Sequence, residues 1–327
     1  MEERWKRARP MSGIGIIVNP KHVSTHRAYF ALVTGLNSSG IDYRTMSTTP
    51  VRSGRWQAEQ LLDWGAASII ILGGDGTIRA AAPILAEAGV LTFIVPTGTA
   101  NVLSRHLGFS SARQAIDHCI ETVQQLSSSP TALGQSQERL VPVNTAEVRD
   151  AAGQWSQQAF LSLAGVGGDA RAVAHHHLAP GLLGYMLGAG RALFAADLSA
   201  VTEREDPPRR EPKRIWSLMA SKAARPAGPV TVFPDADIAG REFSVLTVGP
   251  LPRRIAARLR AWRGIAAACL RGTPSDHRLM HYRRATSASI ELTEPAPAQL
   301  DGDLIGDCLG LRVNAGEHRL RVSAPAS

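Results

Sequence analysis

A parallel α/β domain followed by a mainly antiparallel β domain is the fold this sequence predicts, on three observations. Short apolar, β-branched runs alternate with helical stretches over the first third of the chain, the pattern of a parallel sheet with right-handed crossovers. Two of these runs end in small-residue turns that lead directly into helices. Past a Ser-, Gln- and Pro-rich stretch at 127–138, strand-like runs follow one another with few helices between them. The 327 residues suffice for two cores.

Taken in order, residues 14–18 are apolar or Gly throughout, as in a strand covered on both faces, and Asn19-Pro20 ends the run. A helix is expected over 25–36, a strand over 43–47 and a helix over 57–64. The next buried strand, 68–72, runs into Gly73 and Gly74, with a helix after it over 78–87. Residues 92–95 repeat the pattern, stop at Pro96 and lead to a helix over 102–107. Beyond the boundary, strands are expected at 141–148, 158–163, 215–221, 230–233, 243–248 and 288–292. Helices are expected near 182–196 and 253–270, and a charged, proline-interrupted loop over 202–214. No internal repeat is visible.

With 44% hydrophobic and 20% charged residues, the composition excludes a disordered chain. The net charge of +8 suits an anionic partner: nucleic acid, a phosphorylated ligand or an acidic membrane face. Only 5% of residues are aromatic and no nucleic-acid module is recognisable, which argues against the first. Cys119, Cys269 and Cys308 are few, odd in number and form no CxxC pair, as in a reducing compartment. The apolar run after the basic N-terminus is too short for a signal-peptide core. No stretch approaches the roughly 18 apolar residues of a spanning helix; 181–196 comes nearest and carries Arg191. These features predict a cytoplasmic protein whose membrane contact is peripheral.

Chemistry concentrates in Gly73-Gly74-Asp75-Gly76-Thr77, directly after a buried strand and before a helix. Three glycines allow close approach to phosphate oxygens, and the helix N-terminus adds partial positive charge. Asp75 among those amides is badly placed to bind phosphate and well placed to orient Mg²⁺ or a reacting hydroxyl. The plainer reading is a tight turn with Asp or Thr as helix cap. A second loop, Pro96-Thr97-Gly98-Thr99-Ala100-Asn101, follows the next strand and opens another helix. On adjacent parallel strands the two loops emerge on one sheet edge, where together they would hold a triphosphate.

These motifs resemble the diacylglycerol kinase catalytic family, its bacterial lipid kinases especially, and more distantly the sphingosine and ceramide kinases. Residues 73–77 match the family's nucleotide loop and 96–101 its Pro-x-Gly-Thr-Ala-Asn loop. Gly165-Val166-Gly167-Gly168-Asp169-Ala170 resembles its Gly-x-Gly-Phe-Asp-Ala segment, Pro234-Asp235-Ala236 its Pro-Asp-Ala region, and Asp301-Gly302-Asp303 its Asp-Gly-Glu motif. The likeness runs in order from Ile14 to Pro325. It implies an α/β nucleotide-binding domain over 12–138 with a return segment at 311–325, and a C-terminal antiparallel β-sandwich over 139–310 that takes the lipid. It implies an ATP- and Mg²⁺-dependent kinase that phosphorylates a lipid hydroxyl, diacylglycerol by default, in phospholipid synthesis. Gly73, Gly74, Gly76, Thr77, Gly98, Thr99 and Asn101 would form the nucleotide site with Asp75, which would hold Mg²⁺; Thr49 is the best match for a further nucleotide-contacting threonine. Asp301 would be the general base, drawing the proton from a poorly nucleophilic alcohol. Apart from the resemblance, Asp301-Gly302 reads as a hairpin turn.

Several positions depart from the family pattern. Lys21-His22-Val23 replaces a glycine-bearing stretch, Arg79-Ala80 replaces Asn-Glu, Gly168 replaces an aromatic, and Asp303 replaces Glu. Ala239-Gly240 replaces an Asp-Gly, so the second, structural metal site of some bacterial members is not expected. Asp169 sits in a glycine-rich turn and either holds a lipid headgroup or stabilises that turn. His175, His176 and His177 are adjacent on an expected helix and point in different directions, which suits a solvated end better than a metal site. Residues 253–270 form a basic amphipathic pattern with Trp262, an interfacial helix or one packed on its own domain. The rival functions are an NAD kinase-type enzyme, which shares the first loop, and a catalytically weak nucleotide or lipid sensor.

Overall fold

The structure, a computed structural model, describes residues 13–128, 138–174, 195–202, 212–226, 228 and 230–325. The chain divides into two compact units, Met1–Val143 with Glu317–Ser327, and Asn144–Gly316.

The first unit runs β1 (Ile14–Val18), α1 (Val23–Ser38), β2 (Tyr43–Ser47), α2 (Arg55–Trp64), β3 (Ser68–Gly73), α3 (Asp75–Ala88), β4 (Leu91–Pro96), α4 (Val102–His106), α5 (Ala112–Ser128) and β5 (Glu138–Pro142), with β16 (Arg319–Ser323) returning to it. Its sheet has the order β2-β1-β3-β4-β16-β5, parallel as far as β16 and antiparallel at β5. Every residue of β1 and β3 is buried, as their unbroken apolar runs require. On α3, Ile78, Ala81, Ala82 and Leu85 recur at helical spacing and form its buried face. Because β1 lies between β2 and β3, the crossovers leave it in opposite directions. The carboxyl ends of β1 and β3 therefore flank a topological switch point, where such sheets bind ligands.

The second unit contains β6 (Asn144–Asp150), β7 (Trp155–Phe160), β8 (Leu163–Gly167), α6 (Gly168–Ala174), β9 (Leu198–Thr202), β10 (Lys213–Ile215), β11 (Ser217–Ser221), β12 (Phe243–Val248), α7 (Ile255–Arg271), β13 (Met280–Ala285), β14 (Ser287–Leu300) and β15 (Asp303–Asn314). Its antiparallel sheet has the order β13-β12-β11-β8-β14-β15-β6-β7, with β9 and β10 joined at β14. In a flat sheet β7 and β12 would lie roughly 29 Å apart, yet the rings of Phe160 and Phe243 are stacked 5.6 Å apart. The sheet therefore folds over on itself. Strand β14 carries the bend: its register shifts between Glu291 and Ala296 and again after Ala298, and its two halves pair β9 and β8 separately. Val148, Val166, Leu218, Val245, Ile290 and Leu311 fill the core so enclosed, giving the sandwich that the resemblance implies.

Some expectations are corrected. The run 141–148 is two strands in two sheets: β5 joins the parallel sheet, β6 the antiparallel one, and the chain changes unit after Val143. The units accordingly divide at 143/144 rather than 138/139. The return segment begins at 317 rather than 311, because β15 pairs with β6. Runs 158–163 and 215–221 each break into two strands, and 230–233 forms none. Helix α5 and strands β13 and β15 had no expectation at all. The His175–His177 run, most of the helix expected near 182–196 and most of the 202–214 loop lie outside the described residues.

Candidate functional site

The site in the first unit is built at the carboxyl ends of β1, β3 and β4. Thr97 N–H donates to Gly73 O (3.1 Å), so β3 and β4 stay paired up to the point where their loops turn away. There the two loops touch backbone to backbone. A Cβ on Gly98 would come within 2.5 Å of Gly74 Cα, and one on Gly74 within 3.2 Å of Gly98 Cα. The glycines are thus needed for the contact between the loops themselves.

Asp75 fastens this contact. Its Oδ2 accepts the Val102 N–H (3.0 Å) and its Oδ1 the Leu103 N–H (3.1 Å), so the first residue of α3 caps the N-terminus of α4. Asn101, at φ 45°, shapes the second loop from within: its Oδ1 accepts Gly98 N–H (3.0 Å) and its Nδ2 donates to Gly98 O (2.8 Å). Thr77 turns inward, 4% exposed, and its hydroxyl accepts Asn19 Nδ2 (2.9 Å) from the end of β1. The start of α1 is tied in as well, through Thr25 Oγ1 to Thr97 Oγ1 (3.0 Å). Three helix N-termini, those of α1, α3 and α4, are therefore linked at one sheet edge; those of α1 and α3 add partial positive charge there, while the first amides of α4 are taken by Asp75.

Of the residues singled out in the sequence, Gly73, Gly74, Asp75, Gly76 and Thr77 are brought together with Gly98, Thr99 and Asn101. Thr77 and Asn101 spend their side chains holding the loops, whereas Thr99 is exposed and Gly74, Asp75 and Gly76 are partly so. Thr49 lies exposed in a turn closed by Arg52 and makes no hydrogen bond to either glycine loop among the described residues. Sequence reasoning missed Asn19 as a tie between β1 and α3. Its only signal was its place after a buried strand, which read as a stop.

In the second unit, Asp301 and Gly302 both have positive φ, 50° and 84°, and join Leu300 to Asp303 as a two-residue hairpin. The Asp301 side chain, 5% exposed as a residue, accepts four donors from the β7–β8 turn: Leu161 N–H at Oδ2 (2.9 Å), and Ser162 N–H (2.7 Å), Ser162 Oγ–H (2.7 Å) and Leu163 N–H (3.1 Å) at Oδ1. The hairpin reading of Asp301-Gly302 is thereby realised, and the carboxylate anchors a neighbouring turn. Oδ2, with a single donor, keeps the larger unused acceptor capacity.

Asp169 is buried and sits 2.6 Å from Ser217 Oγ through Oδ1 and 3.1 Å from Gln299 Nε2 through Oδ2. Burial raises its carboxyl above the usual aspartate range, against the lowering effect of these hydrogen bonds. The Ser217 hydroxyl also lies 2.9 Å from Val166 O. With one proton to give, Ser217 donates to Val166 when Asp169 is protonated and itself donates to Ser217. Gln299 Oε1 accepts Gly302 N–H (2.9 Å), so a continuous chain of hydrogen bonds joins Asp169 to the Asp301-Gly302 hairpin. Nothing in the sequence pointed to Ser217 or Gln299. Gly168 also finds its reason here: a Cβ there would fall inside the indole of Trp216, which fills the space beside it and packs on Trp262 at 4.6 Å between centroids.

No group of three or more His, Cys, Asp or Glu able to hold a metal occurs among the described residues. No described helix is long and apolar enough to cross a membrane. Lys222, fully buried, donates from Nζ to Gly240 O (2.8 Å) in the Ala239-Gly240 region.

Comparison with known proteins bears on this arrangement. The profile of the family described as "Diacylglycerol kinase catalytic domain" matches residues 14–136. No curated protein matches the chain. Among solved structures, a diacylglycerol kinase from Bacillus anthracis str. Sterne is similar at TM-score 0.61 and 16% identity, covering 96% of this chain and 97% of that one. Two further structures from that organism, named provisionally as diacylglycerol kinases, are similar at TM-scores 0.69 and 0.67 and identities of 17% and 16%; they cover 97% and 96% of this chain, and 96% and 97% of their own. At these identities the structures speak to the fold, over nearly the whole chain. Over residues 14–136, then, the chain is similar to the diacylglycerol kinase catalytic domain, the likeness its paired glycine loops led us to expect.

Proposed function

We propose that the protein is an ATP- and Mg²⁺-dependent lipid kinase that transfers the γ-phosphoryl group to a lipid hydroxyl, with a diacylglycerol-like alcohol as acceptor. The observation that carries this reading is the contact of Gly74 with Gly98 at the carboxyl edge of a parallel sheet, with the first turns of α3 and α4 beside it. The backbone of Gly74–Gly76 and the exposed Thr99 meet the phosphates, while Gly73, Thr77, Gly98 and Asn101 keep the loops in shape for them. Thr49 contacts the nucleotide away from the phosphates.

Asp75 fits Mg²⁺ by its donor set. It is a partly exposed carboxylate beside the two loops, and Mg²⁺ is ordinarily held by one or two carboxylates together with substrate phosphates and water. Once bound, the ion would offset the negative charge of the phosphates. Asp301 accepts the acceptor's proton at Oδ2. Phosphoryl transfer through a loose transition state asks for that proton late, so a carboxylate already engaged by amides can serve. Asp169 faces the polar head of the lipid. The enzyme works in the cytoplasm with peripheral contact to the membrane, and its product enters phospholipid synthesis.

The test is transfer of labelled phosphate from ATP to diacylglycerol, a sphingoid base and ceramide in mixed micelles, with NAD as a soluble acceptor. Transfer to a lipid is the expected result. Transfer to NAD alone, or nucleotide binding with no transfer to any acceptor, would replace the lipid kinase by the NAD kinase-type or sensor reading.

A further inference from the structure

Helix α7 meets its own domain with only part of its circumference. Ile265, Ala268 and Cys269 are buried, Trp262 packs on Trp216, and Arg258 reaches Asp197 (3.6 Å) and Ala195 O. With this face satisfied, Ile255 remains 67% exposed, Leu259 42% and Leu270 74%, and Ala266 is exposed as well. At about 100° per residue these four fall within roughly 60° of the helix circumference, so they form one outward apolar stripe. Arg260, Arg263 and Arg271 border it, and Arg253 and Arg254 stand at its start; all five are exposed and the helix contains no acidic residue. None of the five has an ion pair among the described residues.

We propose that this face of α7 lies on an anionic lipid bilayer. The apolar stripe enters the boundary between headgroups and acyl chains while the arginines meet anionic headgroups, the division of labour of an interfacial helix. A solvated surface helix would have no use for three large exposed aliphatic residues in register. An interface with another protein would bury the stripe but leave a one-sided fringe of arginines in need of acids. The proposal deepens the lipid kinase reading and rests on it for its purpose, since an acceptor resident in a membrane requires the enzyme at that surface.

The experiment measures sedimentation of the full chain with vesicles of phosphatidylcholine alone and with added phosphatidylglycerol. Wild type is expected to bind only the anionic vesicles. Arg260→Glu with Arg263→Glu, and separately Ile255→Ser with Leu270→Ser, should each weaken that binding by roughly 30-fold. All four positions are exposed, so the fold is unaffected, and melting curves check this. A second measurement is independent of loss of binding. The native cysteines are buried, so an environment-sensitive dye can be placed at Ala266→Cys, with Ala152→Cys in the β6–β7 turn as control. The expected result is a blue shift on anionic vesicles at position 266 alone. Equal binding by the variants, equal binding to neutral vesicles, or the same shift at both dye positions would overturn the proposal. Transfer to a short-chain, monomeric diacylglycerol separates the two readings. The α7 variants should keep it, whereas its absence in wild type that still binds vesicles through α7 would remove the kinase reading and leave the surface.

Discussion

Asp75 and Asp301 both lie in glycine-bearing turns, and both carboxylates accept backbone N–H groups from a segment far away in sequence. They differ in how far the carboxylate is enclosed. Asp75 accepts two amides, from Val102 and Leu103, and stays partly exposed between two loops that face solvent. Asp301 accepts three amides and a hydroxyl and is nearly enclosed. The first therefore braces the loops while staying within reach of solvent, and the second is chiefly an anchor with one oxygen to spare. A motif aspartate is not by itself a free catalytic group, because the turn that presents it also consumes it.

Four measurements break or sharpen this contrast. The largest effect is expected on phosphoryl transfer: Asp75→Ala should lower it by roughly 10³-fold or more, and Asp301→Asn by about 10²–10⁴-fold with ATP binding by calorimetry retained. Undiminished transfer in Asp301→Asn would strip that residue of its role as base and leave the fold untouched.

Stability should rank the two aspartates in the clearest way. Asp301→Ala leaves the amides of Leu161, Ser162 and Leu163 without their acceptor, at a cost of about 3 kcal/mol and a Tm lower by roughly 10 °C. Asp75→Ala removes a helix cap and should cost about 1 kcal/mol. Thermal melts in which Asp75→Ala proves the more damaging would invert the comparison.

The two regions also use glycine differently. Gly98→Ala drives a Cβ into Gly74 and should weaken ATP binding about tenfold, because the loops must part. Gly302 has open space around it but φ of 84°, so Gly302→Ala should cost about 1 kcal/mol of stability and leave ATP binding unchanged.

The smallest effect concerns Asp169, whose carboxyl burial raises. A carboxyl whose folded pKa lies above its unfolded value contributes stability that is full at low pH. That contribution is lost as pH climbs from about 4 through the raised value. Asp169→Asn mimics the protonated acid toward Ser217 and Gln299. Its stability relative to wild type should therefore grow by about 1 kcal/mol per pH unit across that interval. Parallel pH profiles of Tm for the two proteins would show that the carboxyl titrates as in an unfolded chain.

Much of the first unit was legible because its signals are local. Buried runs 14–18, 68–72 and 92–95, each closed by a turn, specify strands, and their alternation with helices specifies a parallel sheet. The second unit was less legible. The run at 141–148 has one apolar texture but serves two sheets, since a strand's own residues do not say which partner will hydrogen-bond to it. On α7, Ile255, Leu259, Trp262, Ile265 and Cys269 recur at helical three- and four-residue steps, yet the packing buries Ile265 and Cys269 and leaves Ile255 and Leu259 outside.

By itself the sequence determined the strands and helices of the α/β unit, the two glycine loops at strand ends and the hairpin at Asp301-Gly302. Each of these follows from backbone preferences and side-chain periodicity within a few residues. Tertiary structure alone decided that Gly74 meets Gly98, that Asp75 caps a helix 27 residues away, that Trp216 occupies the space beside Gly168 and that Gln299 links Asp169 to the hairpin. Those are contacts between segments distant along the chain. They depend on where the sheets place the backbone, and no short stretch of residues encodes that.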